Sequence, residues 1–194
     1  MNMELSSSLI NTGLIQESKA PKQSRIRSEI TGWIKFLSLL VLAYFIIGNT
    51  VGLTVVSGNS MNSTISSGSL LLINKMSTYF SKPNFGDVVI VHESGYDIIK
   101  RVIGVSGDKV AIKNGIVYVN ESPLPEIYTL GKAHDMPEVK VEIGKVFIMG
   151  DNRTPGESLD SRDPTIGQVS AKRIKGYALF SIKPAYRIMK PIKI

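Results

Sequence analysis

The stretch VAIKNGIVYV, residues 110–119, reads as two short β-branched runs joined by Asn114-Gly115. A two-residue hairpin turn needs positive φ at both central positions, which asparagine and glycine reach at the least steric cost. The segment therefore predicts an antiparallel hairpin, and the same rhythm continues on either side of it. LLLINK (70–75), DVVIVHE (87–93), YDIIKRVIGV (96–105), KVEIGKVFIMGD (140–151) and IKGYALFSIKP (174–184) are likewise short apolar runs set between turn residues. No helical periodicity of comparable strength follows residue 57. The fold class expected is mainly β, a compact antiparallel domain over residues 57–194.

Upstream the pattern changes. FLSLLVLAYFIIGNTVGLTVV, residues 36–56, is twenty-one residues without a charge. At about 1.5 Å per helical residue it covers roughly 30 Å, the thickness of a bilayer's hydrocarbon core. The part after Ile47 is weaker, with Gly48, Asn49, Thr50 and Gly52, so an early helix end is expected, with the chain emerging extended. Lys19, Lys22, Arg25, Arg27 and Lys35 precede the run against Glu17 and Glu29. By the positive-inside rule residues 1–35 form a basic cytoplasmic segment, 36–56 a single transmembrane anchor, and the β domain lies on the extracytoplasmic side. A cleaved leader would carry a small-residue cleavage site, which is not evident, and a buried core helix is seldom uncharged for so long.

Composition removes other classes. There is no cysteine and there are only two histidines, His92 and His134, so neither a disulfide framework nor a thiolate or histidine-rich metal centre is expected, and no cofactor is called for. The net charge of +7 would suit a nucleic-acid binder, but residues 57–171 hold 11 basic and 13 acidic side chains. The excess sits in the N-terminal segment and in residues 172–194, with seven basic and no acidic side chains. Nucleic acid is therefore not an expected partner. The basic tail is either a solvated edge or a contact with anionic headgroups.

Three stretches carry potential chemistry. Directly after the apolar run, eleven of the thirteen residues 57–69 are Ser, Thr, Asn or Gly, and seven of these bear a hydroxyl. Such a stretch is a flexible linker or the seat of a nucleophilic serine, which needs a neighbouring base. In YDIIKRVIG, alternation puts Ile98, Lys100 and Val102 on one face and Ile99, Arg101 and Ile103 on the other. Each face holds one cation; arginine keeps its proton, so only Lys100 is able to act as a base, if burial lowers its pKa. Taken alone it is equally a structural lysine. MGDNRTPGESLDSRDPTIGQV (149–169) packs Asp151, Asn152, Arg153, Ser158, Asp160, Ser161 and Arg162 into twelve positions, the density of a hydrogen-bonded positioning loop or of a surface turn.

The order of these features is more specific than any one of them. A basic N-terminus and one span, then SGNSMNSTI, GDVVIV, YDIIKRVIGVSGD and GDNRTPGESLDSR, resembles the bacterial type I signal peptidases, in particular their single-span Gram-positive branch. The resemblance implies a membrane-bound serine endopeptidase that removes signal peptides from exported preproteins by a Ser-Lys dyad. It implies Ser60 as nucleophile, Lys100 as general base, and Ser158 as the serine that orients the lysine. It makes the Ser60 N–H one oxyanion donor and places Gly58 where some members carry a second, hydroxyl donor. Asp160 and Arg162 match a structural ion pair, with Arg101 near it; Asp151, Asn152 and Arg153 are read as scaffolding. Val56, Met61, Ile65, Ile98 and Ile99 are apolar candidates for pockets that take small substrate side chains. Ser63 and Ser106 stand where the family has prolines, and the loop from Arg153 to Ser158 is two residues longer. A paralogue dedicated to one secreted substrate would share these motifs, as would an inactive membrane-anchored adaptor. The expected partners are signal-peptide-bearing preproteins and the bilayer.

Overall fold

The computed structural model describes residues 22–93 and 95–188. Residues 1–21 of the basic N-terminal segment and 189–194 of the basic tail lie outside them. The chain forms two compact units divided between Phe45 and Ile46.

Helix α1 spans Lys22–Thr50. Its part long and apolar enough to cross a membrane is Ile26–Thr50, 25 residues with their apolar side chains exposed. That is about 37 Å of helix. It lies toward the N-terminus of the expected 36–56 run. Thr50 is the last helical residue, and Val51–Val55 is strand β1. The physical reason is local: valines and a threonine favour extended backbone, and the carbonyl of Thr50 accepts from the Lys75 N–H at 2.8 Å.

Eleven further strands follow: β2 Leu70–Asn74, β3 Val88–Glu93, β4 Tyr96–Val105, β5 Lys109–Lys113, β6 Ile116–Val119, β7 Ser122–Pro123, β8 Met136–Lys140, β9 Lys145–Met149, β10 Val169–Ser170, β11 Ile174–Lys183 and β12 Tyr186–Arg187. A single helical turn, α2 (Ser77–Phe80), lies between β2 and β3, and a 3-10 turn over Ala171–Arg173 leads into β11. The larger sheet has the order β1-β2-β11-β3-β4-β9-β10 with β12 on β11; the smaller is β7-β6-β5-β8. All named pairings are antiparallel. The hairpin read from the sequence joins β5 and β6, with Lys113 opposite Ile116 and φ of 54° at Asn114 and 78° at Gly115.

Three apolar clusters follow from this arrangement. One packs Val89, Val91, Val102, Ile148 and Ile174; a second packs Ile103, Val110, Ile112, Phe147 and Met149. The third holds the loop after β1 against the sheet through Val56, Met61, Ile65, Leu71 and Val88. The polar stretch 57–69 is thus nailed down by its two apolar side chains, Met61 and Ile65, which are 1% and 0% exposed. A run that reads as a linker becomes a rigid loop because burying two large side chains contributes about 2 kcal/mol each.

Candidate active site

Ser60 lies at the tip of that anchored loop and Lys100 in the middle of β4. The Lys100 amine donates to Ser60 Oγ at 2.8 Å and to the Ile99 carbonyl at 3.1 Å. Lys100 is only 4% exposed. Burial pushes its amine from 10.5 down to about 8, against the Asp160 carboxylate, which pulls it upward, and with the Arg162 guanidinium, which pushes it further down. A buried amine near neutrality in contact with a serine hydroxyl is what proton transfer at ordinary pH requires. The Ser60 N–H has no hydrogen-bond partner among the described residues. Gly58, at φ 98°, lends its own N–H to Ser67 Oγ at 3.2 Å.

The loop after β9 clamps the serine. The Asn152 N–H donates to the Ser60 carbonyl at 3.0 Å and its side-chain amide to the Asn59 carbonyl at 3.2 Å. Asp151 receives Arg101 twice, at 2.8 and 2.6 Å, and Thr64 Oγ1 as well, so one carboxylate ties β4 to the far end of the serine loop. Arg101 and Asp151 are both fully buried. Gly150 lies where the Ser60 main chain and the Ser158 side chain converge, and a Cβ there would collide with the Ser60 carbonyl and the Ser158 hydroxyl. Its N–H donates to Asp160 Oδ2 at 2.9 Å.

Around this clamp the charges are paired. Asp160 accepts two bonds from Arg162, at 2.8 and 2.7 Å. Burial alone would raise the Asp160 carboxyl, but Arg162 and the Gly150 N–H hold it below the usual carboxylate range. Ser158 donates to Asp160 Oδ2 at 2.7 Å rather than reaching Lys100, because a charged carboxylate two residues away is the stronger acceptor. Arg101 takes Asp151 as its bidentate partner. Arg153 makes a bidentate pair with Glu126, and Tyr128 lies 4.6 Å from the Arg101 guanidinium.

Of the apolar candidates, Val56, Met61, Ile65 and Ile99 meet in one cluster beside Ser60. Ile98 instead packs against the cluster of Val89, Val91 and Val102, because alternation along β4 sends it to the other face. Strand β4 pairs with β3 along Tyr96–Arg101 and with β9 only from Arg101 onward, so among the described residues Tyr96 to Lys100 have an edge without a strand partner. Thr64, Gly150, Glu126 and Tyr128 were not singled out in the sequence. Gly150 had a signal, a glycine at the exact junction of a buried strand and a polar loop; Glu126, 27 residues from its arginine, had none.

The profile of the family described as signal peptidase, peptidase S26, matches residues 30–183. The probable signal peptidase I-1 of a Synechocystis species is 38% identical over 144 residues, 68% of this chain and 71% of that protein. The signal peptidase I of Bacillus licheniformis is 31% identical over 183 residues, 87% of this chain and 97% of that one. Among solved structures, a signal peptidase I from Enterococcus faecalis is 26% identical with a TM-score of 0.44, covering 50% of this chain and 97% of its own.

Proposed function

The chain belongs to the signal peptidases of family S26, serine endopeptidases that cleave signal peptides, and we propose that Ser60 and Lys100 carry out this cleavage here. Neutral Lys100 takes the proton from Ser60 Oγ as the oxygen attacks the carbonyl of the scissile bond. The Ser60 N–H receives the oxyanion, and an oxyanion donor of this kind contributes about 3 kcal/mol. Lys100, now an ammonium, protonates the leaving amine, and water then hydrolyses the acyl-enzyme with the amine again as base. The single observation that carries the reading is the 2.8 Å approach of a buried, pKa-depressed amine to a serine hydroxyl. With the amine at about 8, about one in ten is neutral at pH 7.

The remaining assignments divide by what each touches. Asp151, Asn152, Arg101, Arg153, Asp160 and Arg162 hold the loops that aim Ser60, and Ser158 acts on the lysine through Asp160. Preproteins bind extended along the free edge of β4 from Tyr96 to Lys100, an edge suited to strand addition. Ile99, with the buried Val56, Met61 and Ile65 packed beneath it, forms the apolar surface offered to small substrate side chains, and Ile98 packs on the opposite face of β4 from Ile99. The N-terminus is cytoplasmic, α1 is the anchor, and the β domain from Val51 onward works at the extracytoplasmic face.

Cleavage of a model preprotein in detergent or lipid by the wild type and by Ser60→Ala, Lys100→Ala and Lys100→Arg tests the reading. All three variants are expected to be inactive while folded. Near-normal turnover by Lys100→Arg, which retains charge but not the basic lone pair, would exclude the amine as base.

A further inference from the structure

Where α1 ends there is a cavity of about 480 Å³ that the proteolytic chemistry does not use. Its walls are Gly48 and Asn49 from the last turn of α1, Lys75 and Thr78 from the corner between β2 and α2, and Lys172 and Lys175 from the approach to β11. Among the described residues no carboxylate lines it. The Lys175 amine is committed to Asp97, at 2.8 and 3.0 Å. Lys75 and Lys172 form no ion pair or side-chain hydrogen bond among the described residues. Lys75 is half-buried, its end lying over Gly52, where an added Cβ would come within 2.7 Å of Cε and 3.3 Å of Nζ. Two ammonium groups with no carboxylate partner among the described residues, converging on one cavity, make a local positive potential that favours a bound anion.

Three further observations bear on the anion. The C-terminus of α1 is its partly negative end, which the two lysines have to outweigh; that end is partly offset where the Thr50 carbonyl accepts from the Lys75 N–H at 2.8 Å and the Met76 N–H at 3.4 Å. Gly48 and Asn49 close the apolar stretch Ile26–Thr50, so the cavity lies at the depth where a spanning chain leaves hydrocarbon for headgroups. Tyr79, also lining the cavity, and Phe80 are 81% and 82% exposed with ring centroids 6.5 Å apart, an aromatic pair of the kind that settles at the bilayer interface.

We propose that this cavity is a binding site for the phosphate of an anionic phospholipid headgroup, held by the Lys75 and Lys172 ammonium groups; the Thr78 hydroxyl is spent on the Lys75 carbonyl, at 2.7 Å, and fixes the corner that carries the lysine. The bound lipid would tie the corner between β2 and α2, and through it β2 and the start of the Ser60 loop, to the bilayer surface. This inference stands apart from the roles of Ser60 and Lys100.

The test uses the full chain purified in detergent, titrated with dioleoylphosphatidylglycerol or dioleoylphosphatidylcholine and read by native mass spectrometry, with hydrolysis of a short soluble peptide in pure phosphatidylcholine as an independent check of fold and chemistry. Phosphatidylglycerol is expected to be retained in preference. Each lysine at an anionic surface contributes roughly fivefold, so Lys75→Gln with Lys172→Gln should weaken retention about 25-fold while peptide hydrolysis is unchanged. Should the double variant fold poorly, Lys172→Glu alone, at an exposed position, is expected to weaken retention by more than fivefold. Lys183→Gln, outside the cavity, is expected to change nothing. The proposal is overturned if the double variant keeps the lipid as the wild type does, or if Lys183→Gln costs as much. It is equally overturned if millimolar inorganic phosphate displaces the lipid completely, which would make this a site for the free ion.

Discussion

Replacing Lys100 by methionine should abolish cleavage and yet stabilise the protein, by an amount that depends on pH. The amine titrates at about 8 when folded and at 10.5 when free. Below pH 8 it is charged in both states, and folding takes a charge out of water at a cost of about 3 kcal/mol. Between pH 8 and 10.5 the unfolded chain holds more protons than the folded one, so wild-type stability rises with pH across that window. Methionine has similar length, fills the same space and does not titrate. Against its gain stands the lost bond to Ser60, about 1 kcal/mol. The net advantage at pH 6 is about 2 kcal/mol. For a unit of this size that is a melting temperature roughly 4–8 °C higher. By pH 10 the remaining cost of the amine is about 1 kcal/mol and the advantage vanishes. Circular-dichroism melts of both proteins in the same micelles at pH 6, 8 and 10 measure the gap, and other titrating groups cancel in the difference. A gap that is constant across this range, or a variant less stable at pH 6, would refute the claim that Lys100 is buried at a cost to the fold.

Asp160→Asn should move the rising limb of kcat/KM to lower pH, because Asp160 raises the Lys100 amine and Arg162, left unpaired, lowers it; peptide hydrolysis from pH 6 to 10 measures the limb. Gly150→Ala should lower kcat by about 100-fold with the fold retained, since the added Cβ displaces the Ser60 carbonyl and a nucleophile misplaced by about 1 Å loses that much; single-turnover cleavage beside a thermal melt separates the two effects. Asp151→Ala should destabilise by about 3 kcal/mol, as it removes two charge-assisted bonds from the buried Arg101 guanidinium and the tie to Thr64, and urea denaturation reads the loss.

Local pattern was sufficient wherever one segment carried its own constraint. Asn114-Gly115 needs positive φ whatever surrounds it, the uncharged run after Lys35 is apolar in any context, and the alternation in β4 assigns faces without knowledge of neighbours. The order of the motifs was enough to indicate the family and to single out Ser60 and Lys100. Their meeting at 2.8 Å was not legible, because it depends on Met61 and Ile65 anchoring the serine loop and on Asn152 gripping its backbone from ninety residues away. The partners of the charged groups were equally out of reach. Arg101 goes to Asp151, Arg153 to Glu126 and Ser158 to Asp160, and each choice is made by burial and distance rather than by spacing along the chain. Sequence determines which elements form and which side chains are chemically capable. Only the tertiary structure decides which of them lose water together, and it is the loss of water that brings the Lys100 amine to a pKa at which it is able to accept a proton.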